Sequence, residues 1–174
     1  MKNFFMRSAI VIVLIIHILL ALLVNFTMPS YKALHIVGSE VKRMDSDGFI
    51  NKDRVANSSV RDVYFIYAKF PDSDKVLSFR NEDTRWGFPF YFKFDSADLQ
   101  AKASAFAEEK ALVEVKYYGW RIKVLDEFFN VVSIKKIASI NDTSNPIVSY
   151  ILYGLLVVLF IFTIIFIKKR VFEK

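Results

Sequence analysis

The side chains able to do chemistry in this chain are few: two histidines, no cysteine, and carboxylates whose pairs stand next to one another in sequence. Without cysteine there are no disulfides, thiolate metal ligands or cysteine nucleophiles. His17 sits in a long apolar run and His35 on an expected strand, so the pair does not supply a two-histidine metal site within one domain. His35 is the sole candidate base outside the apolar run, and no G-x-S-x-G sequence offers a serine for it. Glu82 with Asp83, and Asp126 with Glu127, adjoin in sequence and so tend to point to different sides, which favours solvated surface over acid–base work. There is no G-x-G-x-x-G or phosphate loop. Asp45-Ser46-Asp47-Gly48-Phe49-Ile50-Asn51 resembles the middle of a calcium loop, but placing Gly48 at the sixth position puts Arg43 at the first ligand and Arg54 at the twelfth. Two cations there repel the ion. The expectation is a protein that is not an enzyme and carries no cofactor or metal; a hydrolase would need Glu82, Asp83 and His35 to converge in one cleft.

One constellation remains. Asn81, Glu82, Asp83, Arg85 and Trp86 precede Gly87, while Tyr117, Tyr118, Trp120 and Arg121 flank Gly119. Each glycine bend can present an indole and a guanidinium together, and ion pairs from Arg85 or Arg121 to Glu82 or Asp83 would anchor the loops. Arg85, Trp86, Trp120 and Arg121 are the candidate partner contacts; Asn81, Glu82, Asp83, Gly87, Pro89 and Gly119 are the candidate structural residues. Packing competes with contact as the role of the aromatics. Stacking of a glycan or small ligand on Trp86 and Trp120 is the alternative, and requires a concave pocket around them.

The elements that must position these residues begin with two apolar runs. Ser8 to Phe26 and Ile147 to Ile167 carry no formal charge, and the first alone reaches roughly 28 Å as a helix. The first run is longer than the core of a secretory signal, and LLVNFTMPS offers no small-residue cleavage site, so it reads as an uncleaved anchor. His17, without an ionisable companion in either span, reads as a neutral residue packed on a neighbouring helix. Tyr150 and Tyr153 stand near the start of the second span as interfacial anchors, and Lys168, Lys169 and Arg170 end it. With Lys2 and Arg7 before the first span, the positive-inside rule puts both termini in the cytoplasm. The net charge of +6 also resides there: the tails carry +2 and +3, leaving +1 for the segment between from 18 basic and 17 acidic residues. A near-neutral middle removes the electrostatic support for nucleic-acid binding. The divisions are 1–7 cytoplasmic, 8–27 transmembrane, 28–145 periplasmic domain, 146–167 transmembrane and 168–174 cytoplasmic. Gly154 lacks a small-residue companion at helical spacing, yet the spans are where copies of the chain could associate.

Between the spans the pattern is strand-like. Tyr31 to Met44 forms a long strand with Gly38 at a bulge or bend. Val63–Phe70 and Lys75–Asn81 form a pair joined through Pro71-Asp72-Ser73-Asp74, and Asp95 N-caps a short helix bearing Leu99, Ala103, Phe106 and Ala107 on one face. Leu112–Tyr118 and Val131–Ile137 supply two more strands. The order strand, strand, strand, helix, strand, strand is that of a small five-stranded OB-like barrel with one helix, here flanked by two transmembrane helices. Phe88, Phe90, Phe92 and Phe94 are costly to leave in water and are expected to join strands to helix across the core, with Gly87 and Pro89 fixing the backbone path.

Asn81-Glu82-Asp83-Thr84-Arg85-Trp86-Gly87-Phe88-Pro89-Phe90-Tyr91-Phe92-Lys93-Phe94-Asp95-Ser96-Ala97-Asp98-Leu99-Gln100, together with Tyr118-Gly119-Trp120-Arg121 and Asn130-Val131-Val132-Ser133-Ile134, resembles an uncharacterised bacterial membrane-protein family known only as a domain of unknown function. The resemblance covers most of the chain and implies a bacterial inner-membrane protein; it brings no activity, ligand or catalytic residue. The sequence therefore points to a two-pass inner-membrane protein with a periplasmic β domain that acts as an accessory or scaffold subunit for another envelope protein. A glycan- or ligand-binding sensor module is the alternative.

Overall fold

The structure, a computed structural model, describes residues 2–45, 48–49 and 61–172. It falls into two compact units, Met1–Met28 with Pro146–Lys174, and Pro29–Asn145. The stretch that resembles a calcium loop lies largely outside the described residues.

The first unit is a helix pair. Helix α1 spans Lys2–Thr27, and the last helix, α3, spans Ile147–Phe172. Within them Met6–Thr27 and Ile147–Arg170, 22 and 24 residues, are long and apolar enough to cross a bilayer. Two of their hydroxyls are satisfied locally: the Thr27 hydroxyl donates to the Leu23 carbonyl and Thr163 to Leu159, both at 2.8 Å. His17 donates Nδ1–H to the Val13 carbonyl at 2.8 Å and sets its ring edge-on to Phe160, centroids 5.1 Å apart. It is a packed residue between the two helices.

The second unit is a closed barrel. Its elements are β1 (Ser30–Asp45), the short β2 (Gly48–Phe49), β3 (Arg61–Lys69), β4 (Val76–Asn81), α2 (Ser96–Glu108), β5 (Leu112–Tyr118) and β6 (Phe129–Lys136). The ring runs β1-β3-β4-β6-β5 and closes from β5 back to β1. Every pairing is antiparallel except β4 with β6, where Phe79 faces Phe129 and Arg80 faces Asn130. One strand serves two neighbours: Ser30 to His35 pair with β5, and His35 to Met44 with β3. The register slips between Ile36 and Gly38, so the bulge lets the long strand turn the corner that closes the ring. This is the OB-like barrel with its helix between the third and fourth barrel strands. The short β2, paired with the end of β1, is an addition the residue pattern did not signal.

Alternate residues fill the interior. Leu34 and Ile36 from β1, Ile66 and Ala68 from β3, Phe79 from β4, Val113, Val115 and Tyr117 from β5, and Val131 and Ile134 from β6 are buried together with Leu99 and Ala103 of α2. Phe79 sits at the centre, edge-on to Tyr117 at 5.3 Å and tilted against Phe129 at 5.9 Å. Asp95 holds the N-cap position of α2 but makes no capping hydrogen bond; Asp83 does so instead, taking the Ser96 N–H at 2.9 Å and its hydroxyl at 3.0 Å. The cap is thus a long-range contact that also fixes the exit of β4.

Phe79 fills the centre of the barrel and is 0 % exposed, so Phe79→Ala should lower unfolding free energy of the full chain in detergent by about 3–5 kcal/mol. Val76→Ala, at a half-exposed position of the same strand, should cost under about 1 kcal/mol in the same denaturant titration.

Candidate functional site

The motif that begins at Asn81 is a polar junction. Asn81 is fully buried, its Nδ2 donating to the Ser96 carbonyl at 2.8 Å and to Gln100 Oε1 at 3.0 Å. Glu82 forms an ion pair with Arg80 at 3.2 Å, and its backbone is gripped by Asn130, whose Oδ1 accepts the Glu82 N–H at 2.9 Å while Nδ2 donates to the Glu82 carbonyl at 3.1 Å. Asn130 thereby extends the parallel β4–β6 pairing by one side-chain rung. These carboxylates are occupied by Arg80 and by the helix cap; the expected anchoring by Arg85 or Arg121 is replaced by these nearer partners.

Beyond the turn, the chain from Trp86 to Phe94 alternates in the opposite sense to the expected one. Pro89 and Lys93 are buried and Tyr91 is half-buried, whereas Phe88, Phe90, Phe92 and Phe94 are each more than half exposed and Trp86 is 75 % exposed. The phenylalanines do not join the core. They form an outward strip with Trp86, which meets Phe92 and Phe94 at 5.6 and 5.4 Å, while Phe88 and Phe90 are edge-to-face at 5.8 Å. The reason is the lysine. Lys93 Nζ donates to Asn81 Oδ1 and, at 2.8 Å, to the Val131 carbonyl, and this buried anchor, beside a Phe92 at φ 51°, takes the inward place that the rings leave. The backbone is stitched at both ends, Arg85 N–H to the Lys93 carbonyl at 2.9 Å and Lys93 N–H to the Thr84 hydroxyl at 3.2 Å. Tyr91 stacks on Tyr118 at 4.8 Å from inside. Gly87 closes the turn by donating to the Thr84 carbonyl at 2.8 Å, which a Cβ would crowd at 3.1 Å.

Burial shapes the titration of this junction. Lys93 is pushed down to about 8, chiefly by loss of hydration and partly countered by Asp83, Asp95 and Glu82. Tyr117 is pushed up to about 12 by burial, opposed by a hydrogen bond from Ser30. Tyr91 is raised by burial and then by the neighbouring Tyr118 and Tyr31.

The second loop runs from Gly119 to Phe128. Gly119 takes φ 89°, a conformation that suits glycine. Ile122 and Glu127 exchange backbone hydrogen bonds at 3.1 Å and enclose a 3-10 turn at Lys123–Leu125. Arg121 lies over the Phe128 ring at 3.9 Å and donates to the Glu127 carbonyl at 2.8 Å. Arg80 reaches the same ring at 5.8 Å, and Phe128 packs on Phe65 at 4.9 Å, edge to face, on the outer side of β3. Trp120 is half-buried. The tip beyond carries Val124, 93 % exposed, and Leu125, 66 % exposed. Sequence reading singled out Arg121 and Trp120 but passed over this apolar tip, and it passed over Lys93 and Asn130.

His35 does not converge with Glu82 and Asp83. His35 holds the Lys110 and Ala111 carbonyls, each at 3.2 Å, and pairs with Leu112 at the start of β5. Asn130, which holds Glu82, pairs with Tyr118 at the other end, about 20 Å away at the ordinary strand rise. Among the described residues no three His, Asp or Glu side chains are grouped to hold a metal. An open depression of about 440 Å³ is lined by Tyr31, Lys32, Phe70 and Thr143 among others, and neither tryptophan borders it.

Two variants test the junction. Asp83→Ala should cost about 1–2 kcal/mol of stability by uncapping α2, whereas Asp95→Ala should cost a few tenths, measured by denaturant midpoints. Below about pH 8 Lys93 is charged in folded and unfolded chain alike, so its burial costs the full amount. As pH rises from there towards the ordinary 10.5, the folded state sheds its proton first and stability increases. Between pH 8 and pH 10 the gain should be about 2 kcal/mol, absent in Lys93→Met; above pH 10 ionisation of the tyrosines in the unfolded chain works against it.

Residues 5–171 match the family model described as Protein of unknown function (DUF1523). A protein of Haemophilus influenzae, described as an uncharacterized protein, is 46% identical over 168 residues, covering 97% of this chain and 96% of the relative. No solved structure matches the chain. With a family model spanning nearly its whole length and so similar a relative over that same length, the chain belongs to the DUF1523 family of proteins of unknown function.

Proposed function

We propose that the protein is a two-pass component of the bacterial inner membrane, both termini cytoplasmic, that holds its OB-like barrel in the periplasm as a non-enzymatic accessory or scaffold subunit for another envelope protein. The two end helices have the length and apolarity for this role, and Lys2, Arg7, Lys168, Lys169 and Arg170 flank them on their terminal sides. The reactive groups are spent on structure: Asp83 caps a helix, Glu82 pairs with Arg80, and His35 is tied to two carbonyls. The observation that carries partner binding is the loop tip at Val124 and Leu125, two apolar side chains held out on a hydrogen-bonded turn backed by Arg121 and Phe128. A rigid apolar projection loses little entropy when a partner covers it. The loop between the fourth and fifth barrel strands is also one of the two that bind ligands in OB folds, an argument by analogy. Trp120 and Arg121 belong to this contact as its supports; Arg85 and Trp86 lie on the aromatic strip.

A photoreactive residue at Val124 in the full chain should give one discrete protein adduct in intact cells. Arg121→Ala, which loosens the turn, should reduce it at least about fivefold while the barrel stays folded. Lipid adducts alone, or capture indifferent to Arg121, would contradict the reading.

A further inference from the structure

The aromatic strip has an inverted build. A segment that buries Lys93 and exposes Trp86, Phe88, Phe90, Phe92 and Phe94 presents an outward face of aromatic rings. Single exposed apolar residues are ordinary in folded proteins, but five contiguous rings mark a surface that something covers. Two observations say what. The strip is joined to the start of β1: Tyr31 pairs with Lys116, whose ammonium lies over the Tyr91 ring, and Tyr91 stacks on Tyr118, next to the residue that pairs with Ser30. Ser30 in turn follows Thr27, the end of the first apolar helix, by three residues, a tether of at most about 10 Å. If that helix spans the bilayer, the neighbourhood of Tyr31 and Tyr91 cannot lie far from the lipid headgroups. The second observation is the rim. Exposed Arg85 adjoins Trp86, and Lys116 places its ammonium 5.8 Å from the Tyr91 ring, cations suited to anionic headgroups, while the exposed carboxylates Asp95 and Asp98 follow Phe94.

We propose that the Trp86–Phe94 strip inserts into the interfacial layer of the bilayer leaflet that faces the barrel, so that the domain is held against the membrane by its aromatic side chains as well as by its two covalent tethers. Indole and phenyl rings favour this layer, and a segment whose backbone is already fixed by Lys93 enters it without further ordering. The inference rests on the membrane reading of the end helices given above. It assigns to Arg85 and Trp86 a lipid contact in place of a protein one.

Trp120→Phe leaves Trp86 as the sole tryptophan of the full chain. In vesicles of phosphatidylcholine and phosphatidylglycerol, Trp86 emission should be blue-shifted, and it should fall by about twofold or more when the phosphatidylcholine is brominated on its acyl chains. A chain that floats with the vesicles but shows the emission of hydrated indole, unmoved by bromine, overturns the proposal and leaves the end-helix reading intact. A chain that does not float with them removes both. Should Trp120→Phe fail to fold, a photoreactive residue at exposed Phe90 answers the same question: lipid adducts support the strip as a membrane contact, and protein adducts or none refute it.

Discussion

The structure around the candidate site depends on one buried cation. Lys93 sits 4 % exposed, its ammonium held by the Asn81 side chain and the Val131 carbonyl. An ammonium out of water is expensive, and it is tolerated here because two oxygens replace part of its hydration and three carboxylates stand near enough to favour the charge. The anchor has a geometric effect larger than its energy. The segment is not a strand: Phe92 takes φ 51° and the Tyr91 N–H bonds back to the Pro89 carbonyl at 2.7 Å, and with Lys93 held inward on this path the rings of Phe88, Phe90, Phe92 and Phe94 stay exposed.

The same junction joins the barrel's parts. Asn81 links the end of β4 to α2, Asp83 caps that helix, and Asn130 lets β6 grip the chain beyond the parallel pairing. The exit of β4, the start of α2 and β6 therefore converge at one corner of the barrel, and the aromatic strip leaves from it. A surface of exposed rings needs such a mount, since a floppy apolar loop would collapse on the nearest core or aggregate. The loop bearing Val124 closes on bonds of its own, Ile122 to Glu127 and Arg121 over Phe128, and Arg80, the partner of Glu82, ties it to the junction by donating to the Asp126 carbonyl at 3.4 Å.

Much of the architecture was legible in the residues because it follows period and composition. Alternation marked β5 to its ends, Leu112 to Tyr118, and Gly38 marked the bulge that closes the barrel. Element order, with a helix between the third and fourth barrel strands, led to the OB-like ring. What stayed hidden was polarity reversed by a tertiary contact. The alternation of Phe90, Phe92 and Phe94 was plain, but burial of apolar residues is the default, and only the distant Asn81 and Val131 make the Lys93 face the buried one. Asp95 carried the local signal for a helix cap, yet Asp83, twelve residues earlier, supplies the bond; nothing in local sequence distinguishes the two.

The most direct measurement is hydrogen exchange of the full chain in a lipid or detergent environment, resolved to single amides between Thr84 and Phe94. A segment mounted on Lys93 should show slow exchange at Arg85 and Lys93, whose N–H groups are bonded, amid faster exchange at the outward positions. Uniform exchange at the rate of an unstructured chain across the segment would contradict the anchored strip.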